Sequence, residues 1–109
     1  MAYNEYLGQR IREILTGQVG LEEKKMFGGV GFLVNGNMAC GVHKDNLIVR
    51  VGPEKYQAAL NSAYTHVFDM TGRPMTGWVM VSAPGFATDT ALFGWVQQGL
   101  DFALSLPPK

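Results

Sequence analysis

The sequence predicts an α+β fold, two-layered, with an antiparallel sheet of about five strands and helices packed on it. Three observations carry this. Residues 26–51, MFGGVGFLVNGNMACGVHKDNLIVRV, are short β-prone runs separated by Asn35-Gly36 and Asp45-Asn46, which tolerate the positive φ of tight hairpin turns. Apolar residues recur at threes and fours over residues 3–15 and again over 89–106. Residues 78–83, WVMVSA, begin apolar on both pleat faces, which suits a strand inside a sheet rather than at its edge.

Taken in order, Tyr3, Leu7, Ile11, Ile14 and Leu15 form the stripe of a first helix, which Gly17 and Gly20 stop. Residues 21–25, LEEKK, read as a lead-in with a helical turn of its own, and Gly28-Gly29 lets the backbone bend as the first strand begins. With two-residue loops in both hairpins, Leu33 faces Met38 and Val42 faces Val49. Leu33, Met38, Cys40, Val42, Leu47, Val49 and Val51 then share a core face. Phe32, Val34, Ala39, Gly41, His43, Ile48 and Arg50 share the other. Pro53 opens a short helix through Glu54, Tyr56, Ala59 and Leu60, and residues 64–69 form a brief strand. The loop 71–77 follows. Thr88 or Asp89 caps the last helix, whose Leu92, Trp95, Val96 and Ala103 face the sheet beside Leu7, Ile11 and Ile14.

At 109 residues the chain suits one domain, residues 1–109, with a core that needs no staple. The hydrophobic fraction of 47% and charged fraction of 17% are ordinary for a globular protein. No apolar run is long enough to span a bilayer, and the N-terminus has no export signal, so the expected setting is the cytoplasm with no membrane. Cys40 is the one cysteine, which excludes an intramolecular disulfide and a cysteine-clustered metal site. On the apolar parity of a strand it reads as a small buried hydrophobe. Nine basic and nine acidic residues balance to zero, so nothing global draws the chain to a phosphate backbone, and direct nucleic-acid binding is not expected.

No catalytic constellation is present, and neither an enzyme nor a cofactor is expected. Gly28-Gly29-Val30-Gly31 lacks the Gly-Lys-Ser/Thr of a nucleotide loop and enters a strand rather than a helix. His43 with Asp45, and His66 with Asp69, have metal-ligating atoms, but no spacing makes the two loops converge, and no metal is expected. Arg50 interrupts a β-branched strand; it either centres an interface or lays its stem along the sheet and pairs with a carboxylate. Arg73, in Gly72-Arg73-Pro74, is either a ligand-reaching loop tip or a solvated charge in a turn.

The ordered pieces Met26-Phe27-Gly28-Gly29-Val30-Gly31-Phe32, Asn35-Gly36-Asn37-Met38, Asp45-Asn46-Leu47-Ile48-Val49-Arg50, Gly72-Arg73-Pro74-Met75 and Gly77-Trp78 resemble the N-terminal domain of the TfoX family, regulators of bacterial competence genes. The resemblance covers most of the chain. It implies the same two-layer α+β domain, a bacterial regulatory setting and no active site to transfer. In full-length members a second, helical domain follows. The function expected is therefore a non-enzymatic regulatory domain working through protein contacts, with Phe32, Val34, His43, Ile48 and Arg50 as the interaction surface and a homodimer formed through it. The alternative is a small-molecule or anion-binding domain using Gly28, Gly29 and either Arg50 or Arg73, and the third reading is direct DNA binding.

Overall fold

The structure is a computed structural model and describes residues 3–26, 28–69 and 72–109. Helix α1 (Glu5–Leu15) leads into strands β1 (Leu21–Met26), β2 (Gly29–Val34), β3 (Asn37–His43) and β4 (Asn46–Arg50). A 3-10 turn at Pro53–Lys55 continues into α2 (Tyr56–Leu60). Then come β5 (Thr65–Val67), β6 (Trp78–Val81), a second 3-10 turn at Ala83–Phe86 and α3 (Asp89–Ser105). All strand pairs are antiparallel, in the order β1-β2-β3-β4-β6-β5. The α+β class is as the sequence predicts, and β6 is indeed interior. The sheet has six strands rather than about five.

The additional strand is β1. Residues 21–25 are not a helical turn: Gly20, at φ 81°, turns the chain, and Asn35 N–H donates to its carbonyl at 3.1 Å, which seats Leu21 opposite Val34. Glu22, Glu23, Lys24 and Lys25 are exposed along this strand, a charged edge that resists pairing with a foreign strand.

Helix caps follow the sequence. Asn4 Oδ1 accepts from Leu7 N–H at 3.0 Å, and Thr88 Oγ1 accepts from Ala91 N–H at 3.0 Å, each satisfying a donor that the first turn leaves open. Leu7, Ile11 and Leu15 of α1 and Leu92, Trp95 and Val96 of α3 cover one sheet face together with Tyr56 and Ala59 of α2.

The hairpins decide which side chains meet these helices. The first turns at Asn35-Gly36, with φ of 55° and 83°, and places Leu33 opposite Met38 as expected. The register then shifts: Phe32 opposes Cys40, leaving Ala39 as a bulge in β3. One extra residue exchanges the faces on the β2 side of that point. Phe32, Val34 and Ala39 belong to the core and are fully buried, while Leu33 and Met38 move to the opposite face. The second hairpin turns at Lys44-Asp45, not Asp45-Asn46; Lys44 takes φ 56° and His43 pairs with Asn46. Val42 therefore faces Leu47 rather than Val49. Leu47 and Val49 have the same parity, so Cys40, Val42, Leu47, Val49 and Val51 remain in the core.

The opposite face is not bare. Gly31 pairs with Gly41, and a Cβ at Gly31 would fall 2.8 Å from Met26 Sδ and 3.3 Å from Met38 Cε, so both methionines lie across the glycine pair. Phe68, from the segment after β5, is buried and shares a small hollow with Met26, Met38 and Ile48.

Candidate functional site

The structure divides the five residues expected to form one exposed surface. Phe32 and Val34 are both 0% exposed under the helices, and Ile48, though on the outer face, is 3% exposed beside Phe68. The expectation of an open patch around Phe32, Val34 and Ile48 is thereby corrected; the Ala39 bulge and the arrival of Phe68 are the reasons. His43 and Arg50 are half-buried at opposite ends of the meander.

Arg50 is the residue around which a site is built. It ends β4 directly opposite Trp78 of β6. Its Cζ lies 5.2 Å from the Trp78 ring centroid and 5.2 Å from that of Phe102 in α3. Trp78 is supplied by cross-strand pairing, and its ring is 6.2 Å from that of Phe68. Phe102 reaches the sheet end because residue 52 is glycine: it sits at φ 89°, and a Cβ there would fall 2.5 Å from the Phe102 ring. Stacking of this kind holds a guanidinium by its faces and leaves its N–H edge for hydrogen bonding. Among the described residues, no carboxylate, carbonyl or hydroxyl accepts from that edge. The carboxylate pairing considered for Arg50 is absent there, and the side chain rests on aromatic rings instead.

The other side of Phe102 lines a groove of about 420 Å³ with Gly52, Pro53, Glu54, Lys55, Gln98, Asp101 and Ser105. Gly52, Pro53 and Phe102 give it an apolar part, and Glu54, Lys55 and Asp101 give it both signs of charge. Sequence reasoning missed Phe102 and read Trp78 only as the start of a strand inside the sheet. The signal was present: Phe102 lies at the flank of the buried stripe of α3, one heptad after Trp95 and beside Asp101, and Gly52-Pro53 marks where the sheet opens toward it.

The second set of expected residues is not gathered into a site. Gly28, at φ 71°, lies in the β1–β2 turn, and a Cβ at Gly29 would collide with the Val42 carbonyl, so close backbone packing accounts for this glycine. Arg73 is exposed in the segment between β5 and β6. Phe27 of the family-like motif and Thr71 of the loop lie outside the described residues. His43 and Asp69 do converge, on a hollow of about 240 Å³ shared with Lys44, Asn46, Val67 and Met80. Among the described residues no group of three His, Cys, Asp or Glu side chains is placed to hold a metal.

The resolved titration shifts lie elsewhere. Burial pushes the Cys40 thiol up to about 12. Glu23 is held below the usual carboxylate range by its hydrogen bonds from Arg12, at 2.7 and 2.9 Å, and the same bonds raise Arg12.

No helix among the described residues is long and apolar enough to cross a membrane. The sequence pattern of the TfoX N-terminal domain matches residues 13–103, which span every element from the end of α1 to the last turns of α3. No curated protein and no solved structure matches the chain.

Proposed function

We propose, from the premise that this chain belongs to the TfoX N-terminal domain family, that it is a non-enzymatic regulatory domain of the bacterial cytoplasm that acts by binding a protein partner. The partner meets the end of the sheet where Arg50 lies against Trp78 and Phe102. The observation that carries this is the guanidinium itself, set against two rings with no acceptor on its donor edge among the described residues. Arg and Trp are the residue types over-represented at the energetic centres of interfaces, and an arginine already held in place loses little conformational freedom on binding. The adjoining groove supplies apolar area for a partner side chain, and Lys55, Glu54 and Asp101 supply a polar rim.

Affinity capture from the native cell with wild-type and Arg50→Ala baits tests the reading. A protein retained by the wild type and lost by the variant supports it; the same proteins on both baits refute it. That N–H edge also matches a carboxylate or phosphate, so a free anion is the second reading. It predicts a rise in melting temperature with small anions that Arg50→Ala abolishes, with no protein retained.

A further inference from the structure

Residues 106–109 fold back from α3 onto the first hairpin and are fixed there at two points. The side-chain amide of Asn37, a residue only 2% exposed, donates to the Pro107 carbonyl at 3.0 Å, and Lys109 N–H donates to the Asn35 carbonyl at 2.8 Å. The seat is close: a Cβ on Gly36 would fall 2.7 Å from Lys109 Cβ and 3.4 Å from the Lys109 carbonyl oxygen. Leu106 is extended, at φ −93° and ψ 151°, the backbone that a residue before proline prefers. The Pro107-Pro108 pair is stiff, so this tail loses little freedom when it docks.

The end of α3 has little of its own to hold it. Its last turn includes no basic residue, and the chain leaves it through extended Leu106 rather than through a left-handed glycine cap. Ala103, buried beside Val34 and Ala39, is the last residue of the helix in the core; Leu104 and Ser105 are exposed. Leu106 N–H donates to the Ala103 carbonyl at 3.3 Å and Ser105 Oγ to the Phe102 carbonyl at 2.6 Å, closing the turn. Phe102, whose ring lies against Arg50, belongs to this turn.

We infer that residues 106–109 are a latch on the Arg50 site. Docked on the hairpin, they hold the last turn of α3 and with it the Phe102 ring against the guanidinium; released, they let that turn fray and the ring leave. An exposed segment tied by two hydrogen bonds opens far more readily than the sheet does, which makes the tail the low-stability element through which the site is switched. Without Phe102, Arg50 keeps only the Trp78 ring, and partner affinity falls in proportion to the share of molecules in the released state. The control over partner binding rests on the reading of Arg50 given above; the latch itself is observable without a partner.

Nuclear magnetic resonance of the full chain is the test, reading amide exchange at residues 104–106 and the Arg50 Nε–H resonance, which the two rings at 5.2 Å displace from that of a free arginine. Lys109→Pro removes the donor to Asn35 at an exposed position, Asn37→Ala removes the donor to Pro107, and Lys109→Ala keeps the backbone donor as a control. The first two are expected to exchange those amides at least about tenfold faster than wild type and to move the Arg50 resonance toward the free value. Lys109→Ala is expected to match wild type. Circular dichroism checks the folding of each variant; should Asn37→Ala fail to fold, Lys109→Pro decides. Unchanged exchange in the folded variants overturns the inference, as does faster exchange with the Arg50 resonance unmoved, or Lys109→Ala behaving like Lys109→Pro. Failure of the partner reading shows separately, as the same proteins on wild-type and Arg50→Ala baits, and leaves these resonances as they are.

Discussion

Gly99 of α3 lies against the carbonyl group of Ala39, the bulged residue of β3, so closely that a Cβ at position 99 would collide with that oxygen and fall 2.9 Å from the carbonyl carbon. The bulge and the helix are thus fitted to each other. The same approach buries Val34, Ala39 and Ala103 as a small cluster of their own.

The first prediction follows from that contact. Gly99→Ala would stabilise an isolated helix by about 1 kcal/mol, but here the added methyl has backbone, not a flexible side chain, in its way. Chemical denaturation should show a net loss of about 1–2 kcal/mol. A gain in stability would mean that α3 does not rest on the bulge.

Cys40 should be inert in the native protein. It is fully buried, and its thiol is pushed up to about 12 by that burial, so almost no thiolate is present near neutral pH. Labelling by a thiol reagent should proceed at the rate of unfolding and accelerate in denaturant. The sign of the pH effect is fixed. The raised folded value favours the protonated thiol, so this contribution to stability is complete below the unfolded value of about 8.5 and is lost as pH rises from there toward 12. Rapid labelling without unfolding would contradict the assigned burial.

The Arg12–Glu23 pair ties α1 to the β1 edge. Both side chains are more than a third exposed, so solvent screens the pair and Glu23→Gln should cost only about 0.5 kcal/mol. The folded value of Glu23 is depressed, so its contribution is present above the ordinary carboxylate range and lost as pH falls through the lowered value. Denaturation midpoints of wild type and Glu23→Gln should therefore differ at neutral pH and converge in acid. A constant difference down to the acid limit would count against the pair.

Much of the fold is legible in the sequence because periodicity and turn chemistry state it locally. The stripe Leu7, Ile11, Leu15, the cap at Thr88 and the Asn35-Gly36 turn need no tertiary information. The faces of β2 were not legible, because nothing in Met38-Ala39-Cys40 announces that Ala39 is the extra residue; the bulge is set by α3, sixty positions away at Gly99. β1 was missed because its charged residues have no apolar alternation; it is a strand by virtue of pairing with β2. In the candidate site, Arg50 stood out as a charge within a β-branched run. Its setting did not, since Trp78 and Phe102 reach it only through strand order and the Gly52 backbone.

The central claim is that Arg50, oriented by Trp78 and Phe102, is the energetic centre of a protein interface. The most direct measurement is the equilibrium affinity of wild type, Arg50→Ala and Arg50→Lys for the partner captured from the native cell. Arg50→Ala should bind roughly thirtyfold more weakly, the loss of about 2 kcal/mol typical of an interface centre. Arg50→Lys should recover little of it, because an ammonium keeps the charge without the planar group that stacks and forks. Equal affinity of wild type and Arg50→Ala for that partner, with both proteins folded, would contradict the account.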